Sequence, residues 1–267
     1  MKDIKLKHQS GKPLEIKIKG QKIGRGHYTM IAGPCTIENH EDLLAVAVEL
    51  KKMGIHFFRG GAYKMRTSPY NFQGLGKKGL EFMKRVTDET GMISVSEVVS
   101  AEDVEMIKEY VDILQVGTRN MSNYRLLLRL GKVINPIILK RGFSSTIEEW
   151  LLAAEHIIEA GNSKVILCER GIRTYETYTR YTLDISAIPA IKELSNLPII
   201  IDPSHSSGRR EMIKSLSWAA IAAGADGLLI ETHFSPDKTV CDSKQTIDLE
   251  MLKDIIEGNK KLLNLWD

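Results

Sequence analysis

Several protein classes are excluded by what this chain has little of. Its 267 residues include only three cysteines, Cys35, Cys168 and Cys241, too few and too scattered for the disulfide framework of a secreted domain. The net charge is only +3, and no block of five or six like charges appears, which argues against a nucleic-acid partner. No stretch approaches eighteen apolar residues, and the opening Met1-Lys-Asp-Ile-Lys-Leu-Lys-His8 has no apolar leader region. The expectation is a soluble cytoplasmic protein with no membrane partner. No Gly-x-Gly-x-x-Gly follows an apolar run, so Gly171-Ile-Arg173 is not a dinucleotide fingerprint, and no hydrolase nucleophile elbow appears. Aromatic residues are 6% of the chain, ordinary for an α/β interior built from Ile, Leu and Val.

What is present is a recurrence. Eight apolar runs alternate with helical segments, and each run ends on a charged or metal-binding residue. They are Tyr28 to Gly33 leading to Cys35, Ile55 to Arg59, Met92 to Glu97, and Asp112 to Gly117 leading to Arg119. Then come Pro136 to Lys140, Lys164 to Arg170, Leu197 to Asp202 leading to His205, and Asp226 to Glu231. Eight strand–helix units in roughly 250 residues suit an α/β fold of the (β/α)8 TIM-barrel type, whose strand C-termini carry the chemistry. No Pro/Gly/Ser-rich linker interrupts the alternation, so residues 28–267 are expected to form one catalytic barrel. Residues 1–27 are expected to be an N-terminal β-hairpin extension. Ile4-Lys-Leu-Lys7 and Leu14-Glu-Ile-Lys-Ile-Lys19 both alternate at period two around the turn-forming Gln9 to Pro13, and such a hairpin suits a lid on the barrel bottom.

Helix signals fill the gaps. Asn39 caps a segment to Met53, Ser145-Thr146 opens one to Ala160, and further helices span Glu211 to Ala223 and Asp248 to Leu265. Two loops are long, Gly60 to Gly79 and Thr232 to Thr246, and both fall on the catalytic rim. Tyr175, Tyr178 and Tyr181 stand at three-residue spacing, which reads as helix packing rather than a stacking platform.

Two constellations carry chemistry. Cys35, His205, Glu231 and Asp242 lie at or just beyond the first, seventh and eighth runs, which become neighbours when a barrel closes. A thiolate, an imidazole and two carboxylates suit a divalent Mn, Fe, Co or Zn ion. The alternative is a free core cysteine among scattered rim polar groups. The second set, Arg59, Lys64, Arg66, Arg119, Lys140 and Arg170, comes from strand ends and their loops. Guanidinium forks and ammonium charges there suit phosphate and carboxylate groups, although a lone arginine more often sits on a solvated face. Thr67-Ser68 adds hydroxyl and backbone donors for a second phosphate. Glu97 reads equally as a water-activating group or as half of a structural ion pair.

At these residues the chain resembles the 3-deoxy-D-arabino-heptulosonate 7-phosphate (DAHP) synthases, of the compact class related to the 3-deoxy-D-manno-octulosonate 8-phosphate synthases. The stretches are Ala32-Gly-Pro-Cys-Thr-Ile-Glu38, Arg59-Gly-Gly-Ala-Tyr-Lys-Met-Arg-Thr-Ser-Pro-Tyr-Asn-Phe-Gln-Gly74, Gln115-Val-Gly-Thr-Arg-Asn120, Leu139-Lys-Arg-Gly142, Leu167-Cys-Glu-Arg-Gly-Ile-Arg173 and Asp202-Pro-Ser-His205. The resemblance implies metal-dependent condensation of phosphoenolpyruvate with erythrose 4-phosphate at the head of aromatic amino acid biosynthesis. It implies Cys35, His205, Glu231 and Asp242 as metal ligands, with Cys35, His205 and Lys64 catalytic. Arg59, Lys64, Arg119, Lys140 and Arg170 would hold phosphoenolpyruvate, and Arg66 with Thr67 the aldose phosphate. A homo-oligomer, dimer or tetramer, is implied too.

Lys64-Met-Arg-Thr-Ser68 is similar to the heptulosonate form of that loop, not the Lys-Ala-Asn-Arg-Ser type of the octulosonate enzymes, which are the alternative activity. A sugar-phosphate sensor would have lost ligands, and all four are present. Met65 stands where the family usually has Pro, which frees φ there, and the usual Ser-Asp-Gly reads Cys241-Asp242-Ser243. Fewer than about thirty residues precede the barrel, so no built-in feedback domain is expected. Cys35 and Cys241 should approach each other, and without metal the Cys35 sulfur is expected to be partly exposed, with a thiol pKa lowered by nearby cations.

Overall fold

The computed structural model describes residues 5–6, 12–24, 26–66 and 68–264. A hairpin comes first, β1 (Ile16–Ile18) paired antiparallel with β2 (Gln21–Ile23). Its turn is Lys19-Gly20, both at positive φ (44° and 80°), the two-residue geometry whose twist matches the flanking strands. This corrects the expected pairing. Leu14–Lys19 does turn back on itself, but its partner is the segment after it. Leu6 instead lies buried against the barrel wall, its backbone N–H donated to the Glu155 carboxylate at 2.8 Å. Most of the expected first arm and its turn lies outside the described residues.

All eight apolar runs form strands: β3 (Thr29–Gly33), β4 (Phe57–Arg59), β5 (Ile93–Val98), β6 (Ile113–Val116), β7 (Ile137–Lys140), β8 (Val165–Glu169), β9 (Ile199–Ile201) and β10 (Gly227–Glu231). They pair in parallel in chain order, and β10 returns to β3, so the barrel is closed. The crossovers carry α1 (His40–Lys52), α2 (Lys77–Thr90), α3 (Val104–Ile107), α4 (Tyr124–Leu130), α5 (Ile147–Glu159), α6 (Ala187–Leu194), α7 (Pro203–Ser207) and α8 (Arg210–Ala222), with α9 (Leu249–Leu263) closing the chain. Several starts fall at side-chain caps. Asn39 accepts from the Asp42 N–H, Asp248 from the Met251 N–H, and Thr146 with Glu149 forms a reciprocal capping box. Among the described residues no helix is long and apolar enough to cross a membrane.

Both faces of the strands are buried, as a parallel sheet requires. Outward residues such as Phe58, Leu114, Leu139, Leu167 and Leu228 pack on the helices. Inward ones, among them Ile31, Phe57, Ile93, Ile113, Ile138, Ile166, Ile200 and Leu229, form a separate cluster with Ile16 and Ile23 of the hairpin. The hairpin therefore plugs the bottom of the barrel, as its alternation suggested.

Two loop expectations need correction. A third long rim loop joins β8 to α6, across residues 170–186. It contains Tyr175, Tyr178 and Tyr181, so the three-residue spacing is not helical. Tyr175 is fully exposed, whereas Tyr181 turns inward and stacks on Phe143 with ring centroids 4.9 Å apart.

Candidate active site

Strand parity builds the site. Side chains two residues apart share a face, and the inward apolar residues lead directly to the rim. Phe57 is followed on its face by Arg59, Val95 by Glu97, and Ile113 by Gln115. Ile138 is followed by Lys140, Cys168 by Arg170, Ile200 by Asp202, and Leu229 by Glu231. One layer up, the apolar plug becomes a ring of charge inside a closed barrel. Arg59 donates to Glu231 at 2.6 Å and Lys140 to Asp202 at 2.5 Å, both pairs buried. Such pairs strand a charge if one partner is lost.

The four expected ligands meet. Cys35 lies just past β3, Glu231 ends β10, and His205 sits on α7, a single turn capped by Asp202 and stopped by Gly208. Asp242 belongs to the β10–α9 loop, which folds back because the Ile247 N–H donates to the Glu231 carbonyl and the His233 N–H donates to the Ile247 carbonyl, both at 3.0 Å. One ligand atom from each residue lies within 4.8 Å of every other. His205 Nδ1 bonds Asp202 at 2.7 Å, which leaves Nε2 facing Glu231 at 3.1 Å. That is the outer-carboxylate arrangement that orients a metal-binding imidazole. Asp242 has φ 57°, a left-handed conformation uncommon outside glycine and held here by the loop.

The electrostatics favour a cation-ready cluster. Burial works against ionisation of Glu231, but His205 and Arg59 outweigh it and bring its pKa to about 2. Asp242 is likewise held below the usual range, as His205 and Lys64 overcome the burial penalty. Burial lowers the His205 pKa despite Asp202 and Glu231, which favours the neutral ring that a metal needs. Lys64, whose ammonium lies 2.9 Å from the Cys35 sulfur, stays charged because Cys35 and Glu231 offset its burial.

Cys35 departs from expectation. It is only 3% exposed, and burial pushes its thiol pKa well up rather than down. Its approach to Cys241 is as expected, with sulfurs 3.8 Å apart. Cys241 is the sulfur with the lowered pKa, from the Cys35 hydrogen bond first and then Lys64 and Arg66. Arg66 makes a short contact with the Cys241 sulfur.

Beside the ligands lies a cavity of about 150 Å³ lined by Lys64, Arg66, Arg119, Lys140, Arg170 and Arg180, together with Glu97, Phe143, His205 and Asp242. Phe143 and Tyr181 form an aromatic wall behind Arg170, whose guanidinium carbon is 5.0 Å and 4.3 Å from their ring centres. The Arg170 Nε is buried without a hydrogen-bond partner among the described residues, which suits a group held ready for an anion. Gly117 has no side chain because a Cβ there would meet the Glu97 carboxylate at 2.1 Å. Arg59 is not in the cavity wall; it sits behind Glu231. Thr67 lies outside the described residues. The Met65 sulfur accepts from the Asn120 amide at 3.2 Å, a tether in place of the missing proline.

The DAHP synthetase I family model matches residues 4–265. The chain belongs to this family. It is 53% identical over 241 residues to the phospho-2-dehydro-3-deoxyheptonate aldolase of Thermotoga maritima, covering 90% of this chain and 71% of that one. The 2-dehydro-3-deoxyphosphooctonate aldolase of Syntrophobacter fumaroxidans is 30% identical over 269 residues, or 94% of this chain and 91% of that one. The crystal structure of the Thermotoga DAHP synthase superposes with a TM-score of 0.93 at 50% identity, over 96% of this chain and 75% of that one. A truncated form of the Thermotoga enzyme gives 0.89 at 47% identity, over 96% and 94%.

Asp202, Gln115, Arg180 and Gln245 contact site residues although no role was assigned to them in the sequence. Parity would have flagged the first two. Gln245, which donates to Glu231 at 2.7 Å, reaches the site only through the folding back of its loop and has no sequence signal.

Proposed function

We propose that this chain condenses phosphoenolpyruvate with D-erythrose 4-phosphate, with addition of water, to give DAHP and inorganic phosphate. The observation that carries this is the convergence of four ligand atoms beside a cavity walled by cations. The donor set fits a divalent transition ion, since one soft sulfur that a bound metal would hold as thiolate, one imidazole and two carboxylates lie within 4.8 Å of one another. Cys35, His205, Glu231 and Asp242 would hold it. Such an ion would supply Lewis acidity to the aldehyde oxygen of the aldose.

The chain's own residues do the rest. Arg119, Lys140 and Arg170 bind phosphoenolpyruvate, and Arg66 with Thr67 binds the aldose phosphate. Two anions that repel each other in water are thereby held side by side, an entropic and electrostatic contribution. Arg59, which pairs with Glu231 at 2.6 Å, is a further cation for phosphoenolpyruvate. Lys64, kept protonated, stands where an ammonium hydrogen bond stabilises oxyanion charge as C3 of phosphoenolpyruvate attacks the aldehyde carbon. Water then adds at C2 and phosphate leaves with C–O cleavage. We place this reaction in the cytoplasm, at the head of aromatic amino acid biosynthesis, in a dimer or tetramer.

The test is aldose choice. Phosphate release from phosphoenolpyruvate should be fast with erythrose 4-phosphate and slow with arabinose 5-phosphate, and the reverse order would assign the octulosonate activity.

A further inference from the structure

Each carboxylate ligand has two oxygens, and the structure treats them differently. Glu231 turns Oε1 toward His205 Nε2 and Arg59, while Oε2 accepts from the Gln245 amide at 2.7 Å. Asp242 turns Oδ2 toward the Cys35 sulfur at 3.0 Å, while Oδ1 faces the Arg180 guanidinium at 3.6 Å. The two outer groups are themselves joined, because Arg180 donates to the Gln245 side-chain oxygen at 3.2 Å. Gln245 is buried, so neither of its bonds has water as a ready substitute.

Arg180 also touches the element that carries the third ligand. Its backbone N–H donates to the Ser207 carbonyl at 2.9 Å, and its side-chain stem packs against Gly208, where an added Cβ would come within 2.8 Å. Ser207 belongs to α7, with His205. Arg180 itself lies on the β8–α6 loop and lines the catalytic cavity. One side chain on a rim loop therefore contacts supports of three ligands and the substrate space.

We propose that Arg180 and Gln245 are positioning residues. They hold one oxygen of each carboxylate away from the cluster, so that Glu231 and Asp242 each offer a single oxygen to the metal, and they tie metal binding to ordering of the β8–α6 loop. This rests on the metal reading above. The pair touches no reacting atom in that reading, and its effect passes through the ligands.

The test uses metal-stripped protein titrated with Co(II). The unsubstituted protein should show a thiolate-to-cobalt band from Cys35 and d–d bands that report coordination number. Gln245→Leu should weaken Co(II) about 10- to 100-fold, the usual size of an outer-shell loss. It should also alter the d–d bands toward a higher coordination number while the thiolate band stays. Gln245→Met, which keeps the length and loses the amide, serves if the leucine variant does not fold. Arg180→Met should weaken Co(II) less in the Gln245→Leu background than alone, because the two act as a unit. In the unsubstituted protein, Co(II) should slow amide exchange across residues 172–182, and in Arg180→Met it should not. Unchanged affinity and unchanged d–d bands in both Gln245 variants would overturn the proposal. Absence of any cobalt spectrum in the unsubstituted protein would overturn the metal reading and this inference with it.

Discussion

The two ends of the barrel are built from the same strands and obey opposite rules. At the bottom, inward positions are Ile, Phe, Leu, Val95 and Cys168, and Ile16 and Ile23 of the hairpin fill the lumen between them. At the top, the next inward residues on those strands are Arg59, Lys140, Arg170, Asp202 and Glu231, all buried. The lower layer gains from burial alone. The upper layer places charges where desolvation works against them and recovers that only through pairing. The bottom therefore holds the fold together, and the top uses that rigidity to keep charges aimed at a small space.

Variants at each end should separate the two roles. The largest effect on chemistry is expected from Cys35→Ser, which alters one buried atom of the proposed ligand set. Turnover should fall at least about a hundredfold with metal affinity, while circular dichroism shows an intact barrel. Loss of the fold would erase the distinction between the ends. Oxidation of the metal-free protein should reach the same endpoint covalently. With sulfurs 3.8 Å apart, Cys241 and Cys35 should each lose a proton and together two electrons to oxygen, forming a disulfide. Cys241, the thiol with the lowered pKa, starts the reaction. Peptide mapping should find the linked pair, and activity should need both reductant and metal to return. Two free thiols and recovery with metal alone would refute it.

At the other end, Ile23→Ala should cost about 2–5 kcal/mol of stability, from lost burial and a cavity in the plug. The rate per folded molecule should be unchanged in a denaturation-controlled assay, and a fall in kcat would couple the bottom to catalysis. The smallest effect expected is that of Arg66→Ala. It should raise KM for erythrose 4-phosphate about tenfold, the loss of one charge-assisted hydrogen bond, with far less change for phosphoenolpyruvate. Equal changes for both would remove Arg66 from the aldose site.

Much of this division could be read before folding. Apolar runs ending in charge located all eight strands, and capping residues located the starts of α1, α5 and α9. What was missed depends on geometry with no local signature. The Lys19-Gly20 turn was passed over because Lys at positive φ is not a usual turn signal, so the hairpin was drawn with the wrong arm. Tyr175, Tyr178 and Tyr181 imitated helical spacing inside a loop. The low pKa was assigned to Cys35 instead of Cys241 because depth below the rim cannot be counted along a strand end. Gln245 and Arg180 come together only when two separate loops fold over α7. The meeting of Cys35, His205, Glu231 and Asp242, by contrast, was legible because closure of a (β/α)8 barrel makes the first and last strands neighbours.

The central claim is that chemistry at the top depends on a metal that the fold does not need. The most direct measurement removes that metal with a chelator, verifies its loss by elemental analysis, and reads turnover and thermal unfolding on the same sample. Turnover should vanish and return with Mn, Co or Zn, while the barrel stays folded throughout. Full turnover in protein shown to be free of metal would contradict it.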